Sequence, residues 1–243
     1  MKRNNLFIQS IGWGLLILLV LSPVLLSARP VRGHGDIVTI NENFSDFDKL
    51  EISHSFDVII NYSKAYSVTV KVDKNLTDYL VLEKRGKTLK IGLKDGFSYR
   101  NVHLEAEITM PDIQRLGLSG ASVATIAGFG FSHPFDMNLS GASKVIGKIQ
   151  TGDLDLQLSG ASKVKLNGRG HDLKIRASGA STVKMDNFHV NDAGLSLSGS
   201  SNCRVNIGGH LNINASGSST IEYCGSGEIG SIETSGSSRI QRL

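Results

Sequence analysis

The residues of this 243-residue sequence that could bind a ligand or act in catalysis recur at regular intervals, and serine is the most frequent of them. The phrase Ser-Gly-Ala/Ser-Ser begins at Ser119, Ser140, Ser159, Ser178, Ser198, Ser216 and Ser235. A ladder of hydroxyl groups could bind a sugar or an ordered surface, whereas a nucleophilic serine needs its own base and oxyanion site. Because seven equivalent serines do not single out one nucleophile, the sequence predicts hydroxyls that satisfy backbone groups at corners.

Basic residues form the second recurring set, at the fourth and sixth places after the first serine of each phrase. They are Lys144, Lys163, Lys165, Lys184, Arg204 and Arg239. If the repeats stack in register, these residues form a strip in which like charges repel, and an anionic ligand would relieve that repulsion. Anionic glycans, envelope polysaccharide or lipopolysaccharide are then the expected partners. The alternative is a solvated face that keeps the sheet soluble and blocks edge pairing.

The histidines and acidic residues form no recognisable catalytic or metal motif. No two of the seven histidines stand at a tight metal-ligand spacing, and no Gly-Gly-x-Gly-x-Asp calcium repeat occurs. We therefore predict no catalytic residue, no metal site and no cofactor. Asp153 and Asp155 could approach Asp136 on a neighbouring repeat, and two facing carboxyl groups can cleave polysaccharides. An enzyme of that kind remains a third interpretation.

The two cysteines fall on different columns of the repeat. Cys203 stands five residues after Ser198, but Cys224 stands eight residues after Ser216. In register, the two cysteines would lie about 10 Å apart at the strand rise, which exceeds the reach of a disulfide. Two unpaired cysteines are predicted.

These residues belong to a repeat of 18 to 21 residues, in which the Ser-Gly-Ala/Ser-Ser phrase forms a sharp turn between two strands. Apolar residues alternate with polar ones on both sides of each phrase, as in Leu154, Leu156 and Leu158, which is the period of a strand. Glycine gives the corner its backbone freedom, at Gly120, Gly141, Gly160, Gly179, Gly199, Gly217 and Gly236. The sequence therefore predicts an all-β, parallel β-helix with about 19–20 residues per coil, and an antiparallel propeller is the weaker alternative.

The repeats occupy only part of the chain. We assign residues 113–243 to the repeat β-helix and residues 37–112 to a β-rich lead-in and N-terminal cap, with strands at 50–52, 56–62, 67–72, 89–93 and 102–110. Residues 77–83 fit either a strand or a short helix. A separate ligand-binding module is the alternative for the lead-in. No capping element follows the last phrase, so we expect self-association into a homo-oligomer through the uncapped C-terminal coil.

The N-terminus has the features of an export signal. Residues 1–28 carry Lys2 and Arg3 before an apolar run, and residues 29–36 form a linker. An uncleaved membrane anchor is the alternative, and it would be the only contact with a membrane. Without residues 1–28 the net charge falls from +4 to +2, which is too small to indicate nucleic acid as a partner.

The exported N-terminus, the lead-in ending at Met110-Pro111-Asp112-Ile113 and the repeated Leu-Ser-Gly-Ala-Ser resemble a bacterial family described as putative auto-transporter adhesin, head GIN domain. The resemblance covers roughly residues 38–240. It implies a right-handed β-helix and a setting in the periplasm, on the outer surface or in the medium of Gram-negative bacteria, typically Bacteroidetes. It brings no catalytic residue with it.

Three functions follow from this sequence, in order of preference. The first is a non-catalytic, exported cell-envelope protein, an adhesin or surface-binding head that uses repetitive faces rather than a pocket. The second is a structural envelope scaffold or self-assembling protein. The third is a polysaccharide-active enzyme.

Overall fold

The computed structural model describes residues 30–243, which fold into stacked coils of β-strand. The lead-in contains β1 (Val31–Arg32), β2 (Ile37–Glu42), β3 (Lys49–Ile52), β4 (Asp57–Tyr62), β5 (Ser67–Asp73), a 3-10 helix (Lys74–Tyr79), β6 (Leu80–Arg85), β7 (Thr88–Leu93), β8 (Tyr99–Arg100) and β9 (Leu104–Met110). The repeats contain β10 (Arg115–Leu118), β11 (Val123–Gly130), β12 (Phe135–Leu139), β13 (Lys144–Gln150), β14 (Leu154–Leu158), β15 (Lys163–Arg169), β16 (Leu173–Ala177), β17 (Thr182–Val190), β18 (Ala193–Leu197), β19 (Asn202–Ile207), β20 (His210–Ala215), β21 (Thr220–Cys224), β22 (Glu228–Thr234) and β23 (Arg239–Arg242).

Each repeat contributes one strand to each of two sheets. Sheet 1 has the order β6-β7-β3-β10-β12-β14-β16-β18-β20-β22, and sheet 2 has the order β2-β5-β9-β4-β11-β13-β15-β17-β19-β21-β23. Strands of successive repeats pair in parallel, as β14 does with β16. The alternating apolar residues predicted from the sequence, such as Leu156 and Val164, point between the sheets and are almost fully buried. The predicted parallel β-helix is therefore confirmed.

The first corner of each coil, between its sheet 1 strand and its sheet 2 strand, is the Ser-Gly-Ala/Ser-Ser phrase. Its glycines all have a left-handed φ of 70° to 73°. A Cβ atom on Gly160 would lie 2.4 Å from the carbonyl oxygen of Gly141. That oxygen accepts a hydrogen bond from the Ala161 amide at 2.7 Å. The corners stack so closely that only a residue without a side chain fits there.

The last serine is buried inside its corner in six of the seven phrases. The Ser162 hydroxyl donates to the Ser159 carbonyl oxygen at 2.7 Å, and the same bond recurs in the other coils. The buried members are Ser122, Ser143, Ser162, Ser181, Ser201 and Ser219. These hydrogen bonds confirm that the last serine of each phrase satisfies a backbone group.

The lead-in contains a coil that the sequence pattern did not reveal. Strand β3 lies between β7 and β10, and β4 lies between β9 and β11, each in parallel register. Their corner, residues 53–56, has His54 at φ 63° where the repeats have glycine. Beyond this coil, β2, β5 and β6 pair antiparallel and form the first edges of the two sheets. The stretch 77–83 divides between the 3-10 helix and β6.

The predictions for the N-terminus fall partly outside the described residues. The predicted signal peptide or anchor at residues 1–28 lies outside the described residues. The predicted linker contains β1, which pairs with β8. From residue 30 onward, no helix combines the length and the apolar character that a membrane crossing requires.

Candidate functional site

The predicted basic residues lie on the outer face of sheet 2, and the middle ones stack in register. Lys144 pairs with Lys163 in the neighbouring strand. Two residues further along, Lys165 pairs with Lys184, which in turn pairs with Arg204. Neighbouring strands are about 4.8 Å apart, so these charged side chains are held close together by the backbone.

Among the described residues, the four lysines have no acidic partner. Within residues 30–243, none of their ammonium groups has a carboxylate oxygen within the 4.0 Å that defines an ion pair. Lys144, Lys163, Lys165 and Lys184 are all exposed. Like charges directly opposite each other in a sheet destabilise the pairing, and here nothing nearby compensates that cost.

Two further cations extend this surface. Lys148 lies on β13 and Arg169 at the end of β15, both exposed and both on the outward side of their strands. They stand eight and ten places after the first serine of their phrases, so a search limited to the fourth and sixth places missed them. The basic face is defined here as Lys144, Lys148, Lys163, Lys165, Arg169 and Lys184.

The predicted strip is shorter at its C-terminal end than the sequence suggested. Arg204 donates from Nε to the Glu222 carboxylate at 2.8 Å, and this hydrogen bond raises the pKa of Arg204. Arg239 pairs with Thr220 and is separated from Lys163 by uncharged residues in the intervening strands. Neither arginine therefore adds an unpaired charge to the basic face.

The opposite end of sheet 2 carries acidic residues. Asp57 on β4 pairs with Glu105 on β9, and Glu107 follows two residues later on the same side. The outer surface of the sheet thus changes from acidic near the lead-in to basic over β13, β15 and β17. A charged ligand on this face would have a defined position along the solenoid.

The second corner, where the chain returns from sheet 2 to sheet 1, carries a row of aspartates. Asp153 accepts from the amide of Asp172, and Asp192 accepts from the amide of His210. The Asp153 carboxylate also lies 3.0 Å from His171, and this contact raises the pKa of His171. Ligand atoms of Asp153, His171 and Asp172 lie within 4.8 Å of one another. The sequence missed this cluster because its members are neighbours only across the coil period.

Asp136 and Asp155, two of the aspartates that could form a polysaccharide-cleaving carboxyl pair, are neighbours in sheet 1. Asp136 pairs with Asp155, as the sequence predicted. Arg176 holds both oxygens of Asp155 at 2.7 and 3.0 Å, and Arg115 reaches Asp136 at 3.1 Å. Two neutralised carboxylates leave this pair without a group placed as a general acid.

The cysteines occupy the predicted columns. Cys203 pairs with Ile221, and Cys224 pairs with Asn206. Both thiols are free, which confirms the prediction of two unpaired cysteines. Complete burial raises the pKa of Cys203 to about 12, so this thiol is a core side chain rather than a nucleophile.

The outermost strand β22 is exposed along all seven residues, including Ile229 and Ile232. Self-association through this coil stays a prediction.

The long stack of parallel coils defines a β-solenoid, and one lateral face of it is charged. Residues 46–227 match the family described as "Putative auto-transporter adhesin, head GIN domain", and the chain belongs to that family. Adhesins act outside the cytoplasm, so membership indicates an exported protein. No curated protein matches the sequence.

Solved structures share the fold. A putative adhesin from Bacteroides fragilis superposes with a TM-score of 0.80 at 18% identity, covering 88% of this chain and 100% of that chain. A putative lipid binding protein from Parabacteroides distasonis gives 0.72 at 23% identity, with coverage of 88% and 100%. A putative adhesin from Parabacteroides merdae gives 0.68 at 16% identity, with coverage of 89% and 100%. At these identities the likeness concerns the fold alone.

Proposed function

We propose that this chain is a non-catalytic, exported envelope protein that binds an acidic polysaccharide along the basic face. The observation that carries the proposal is the register of the four lysines, which places like charges side by side with no acidic partner among residues 30–243. An anionic polymer lying across the coils would neutralise several of them at once.

The shape of the surface favours an extended ligand over a small one. The basic face spans β13, β15 and β17, so its charges are spread over three coils rather than gathered in a pocket. A polymer with one acidic group every sugar or two can follow such a row, whereas a small anion would contact only two or three lysines. An exported protein would meet acidic glycans in the periplasm, at the outer surface or in the medium.

The test compares charge reversals on the basic face with charge reversals outside it. In the variant K163E/K165E, two charges of the basic face are reversed. In the matched control K64E/K174E, the same net change is made at exposed positions outside that face. Each exposed ion pair contributes up to about 1 kcal/mol, so two reversals should weaken binding by about 1–3 kcal/mol, or about 5- to 150-fold, at low salt.

Binding is measured with polygalacturonate and with the uncharged polysaccharide dextran, at low and at moderate salt. We expect polygalacturonate to bind, salt to weaken that binding, and only the basic-face variant to lose it. Equal loss in both variants, or equal binding of dextran, would contradict the proposal.

A further inference from the structure

A depression of about 490 Å³ lies at the second corner, directly beyond the strand ends of the basic face. Three successive coils line it, with Phe131, Gln150 and Asp153 among the contributors together with Arg169 and His171. Its volume is within the range of pockets that hold small ligands. Arg169 belongs both to this depression and to the basic face, so the two surfaces are continuous.

The floor of the depression is backbone, because two neighbouring coils carry glycine there. A Cβ atom on Gly152 would lie 2.3 Å from the Ser132 carbonyl oxygen, and one on Gly170 would lie 3.1 Å from the Phe188 ring. A hydrogen bond joins the two coils at this floor, since the His171 amide donates to the Gly152 carbonyl oxygen at 2.9 Å. The hollow is thus a consequence of coil stacking and not of a loose loop.

The wall of the depression is a fixed aromatic ring. Phe131 is half-buried and stacks on His133 with ring centroids 4.2 Å apart and planes 4° apart. Phe135 meets the same ring edge-on at 5.8 Å. His133 is fixed in turn by the Asp112 carboxylate at 2.7 Å and the Pro134 carbonyl at 2.9 Å. The remaining surface of Phe131 lines the hollow as a rigid apolar platform.

The rim offers hydrogen-bond donors and acceptors around this platform. Arg169 donates from Nε and Nη2 to Gln150 Oε1, at 3.1 and 2.9 Å, which leaves the Gln150 amide group and the remaining guanidinium N–H groups to a ligand. Asp153 uses Oδ1 for His171 and the Asp172 amide, which leaves Oδ2 as an acceptor. An apolar ligand would leave these groups unsatisfied. A pyranose ring offers both an apolar C–H face and hydroxyls that donate and accept.

We propose that the corner depression binds one hexuronate residue of the polysaccharide that lies on the basic face. The sugar ring packs on Phe131, its hydroxyls bond to Asp153 and Gln150, and its carboxylate faces Arg169. This inference rests on the proposed function and deepens it, because it names the sugar class and gives the polymer a fixed position. The basic face supplies salt-dependent attraction, whereas the packing on Phe131 and the hydroxyl hydrogen bonds in the depression are contacts that salt does not screen.

The test uses oligogalacturonate, with calorimetric titration of the protein at low and moderate salt. In F131S the platform is removed, and in S132Q a longer side chain is added at an exposed lining residue without touching the core. F97S is the matched control, because it removes an exposed aromatic ring far from the site. We expect F131S and S132Q to weaken binding about tenfold at both salt concentrations, and F97S to leave it unchanged.

The outcomes separate the two proposals. If K163E/K165E weakens binding while F131S and S132Q do not, the depression is not a sugar site and the basic face still stands. If F131S and S132Q weaken a neutral oligosaccharide equally, the assignment to hexuronate is wrong. If wild-type protein binds neither oligogalacturonate nor polygalacturonate, both proposals fail. Should F131S lower the melting temperature strongly, S132Q alone decides the outcome.

Discussion

Replacing Gly179 by alanine should destabilise the solenoid far more than the loss of a glycine elsewhere. Gly179 has φ 73°, and an added Cβ would lie 2.4 Å from the Gly160 carbonyl oxygen. A left-handed conformation costs an alanine about 1–2 kcal/mol. The contact must also push the corner outward and weaken the 2.7 Å bond from the Ala180 amide to Gly160, which is worth about 0.5–1.5 kcal/mol.

These terms sum to a loss of about 1.5–3.5 kcal/mol in the free energy of unfolding. For a chain of this size that corresponds to a melting temperature lower by about 3–14 °C. Gly194 provides the matched control, because it lies in β18 and a Cβ there would meet nothing within 4 Å. Alanine at that position should be neutral or slightly stabilising, since it lowers the entropy of the unfolded chain.

The assay is urea and thermal denaturation of both variants, followed by far-ultraviolet circular dichroism. The stacked-corner reasoning is refuted if G179A and G194A unfold at the same midpoint as the wild type, or if G194A is the less stable of the two.

Three further predictions concern buried or half-buried polar groups. Asp73 is buried and accepts hydrogen bonds from the Gly35 and His103 amides. Burial alone would raise the pKa of Asp73, but these hydrogen bonds lower it, so the stabilisation from Asp73 is present above about pH 4 and is lost as the pH falls through its folded-state pKa. D73N should therefore cost about 1–3 kcal/mol in the free energy of unfolding and remove that acid dependence. Burial tends to lower the pKa of His133, but the Pro134 and Asp112 hydrogen bonds raise it. The stabilisation from protonated His133 is therefore complete below about pH 6.5 and is lost as the pH rises through its folded-state pKa. The melting temperature of H133Q should lack this pH dependence. S162A should lose about 1–3 kcal/mol in urea titrations because the Ser159 carbonyl loses its donor, whereas S159A at the exposed first position should stay within about 0.5 kcal/mol of the wild type.

The repeats were readable from the sequence because the backbone demands the same residue at each corner. Gly160 and its equivalents are required by the close approach of neighbouring corners, so the phrase recurs and reveals the coil. Strand alternation then fixed which residues face outward. The register that brings Lys165 beside Lys184, and keeps Cys203 from Cys224, followed from the same alignment.

The coil formed by β3 and β4 could not be read in this way. Its corner reads Ser53-His54-Ser55-Phe56, and it tolerates left-handed His54 and Ser55 because the coil beside it on the lead-in side is not a repeat corner. The His54 ring is instead held by the Ser53 hydroxyl and the Leu93 amide. A unique corner leaves no periodic signal, and the strand insertion between β7 and β10 is visible only in three dimensions.

The candidate site was predicted only in part, for a related reason. The lysines at the fourth and sixth places repeat, whereas Lys148, Arg169 and Phe131 each occur once at their place in the coil. Single residues become a site only when the coils stack and bring Gln150 to Arg169. The neutralisation of Arg204 depends on the rotamer that reaches Glu222, which register alone does not specify.

Binding of an acidic polysaccharide by the basic face is tested most directly by the affinity of wild-type protein and of K163E/K165E for polygalacturonate at low and moderate salt. We expect the wild type to bind, added salt to weaken the binding, and the variant to lose most of the salt-sensitive part while K64E/K174E retains it. Binding that is insensitive both to salt and to the two reversals would contradict a role for the basic face.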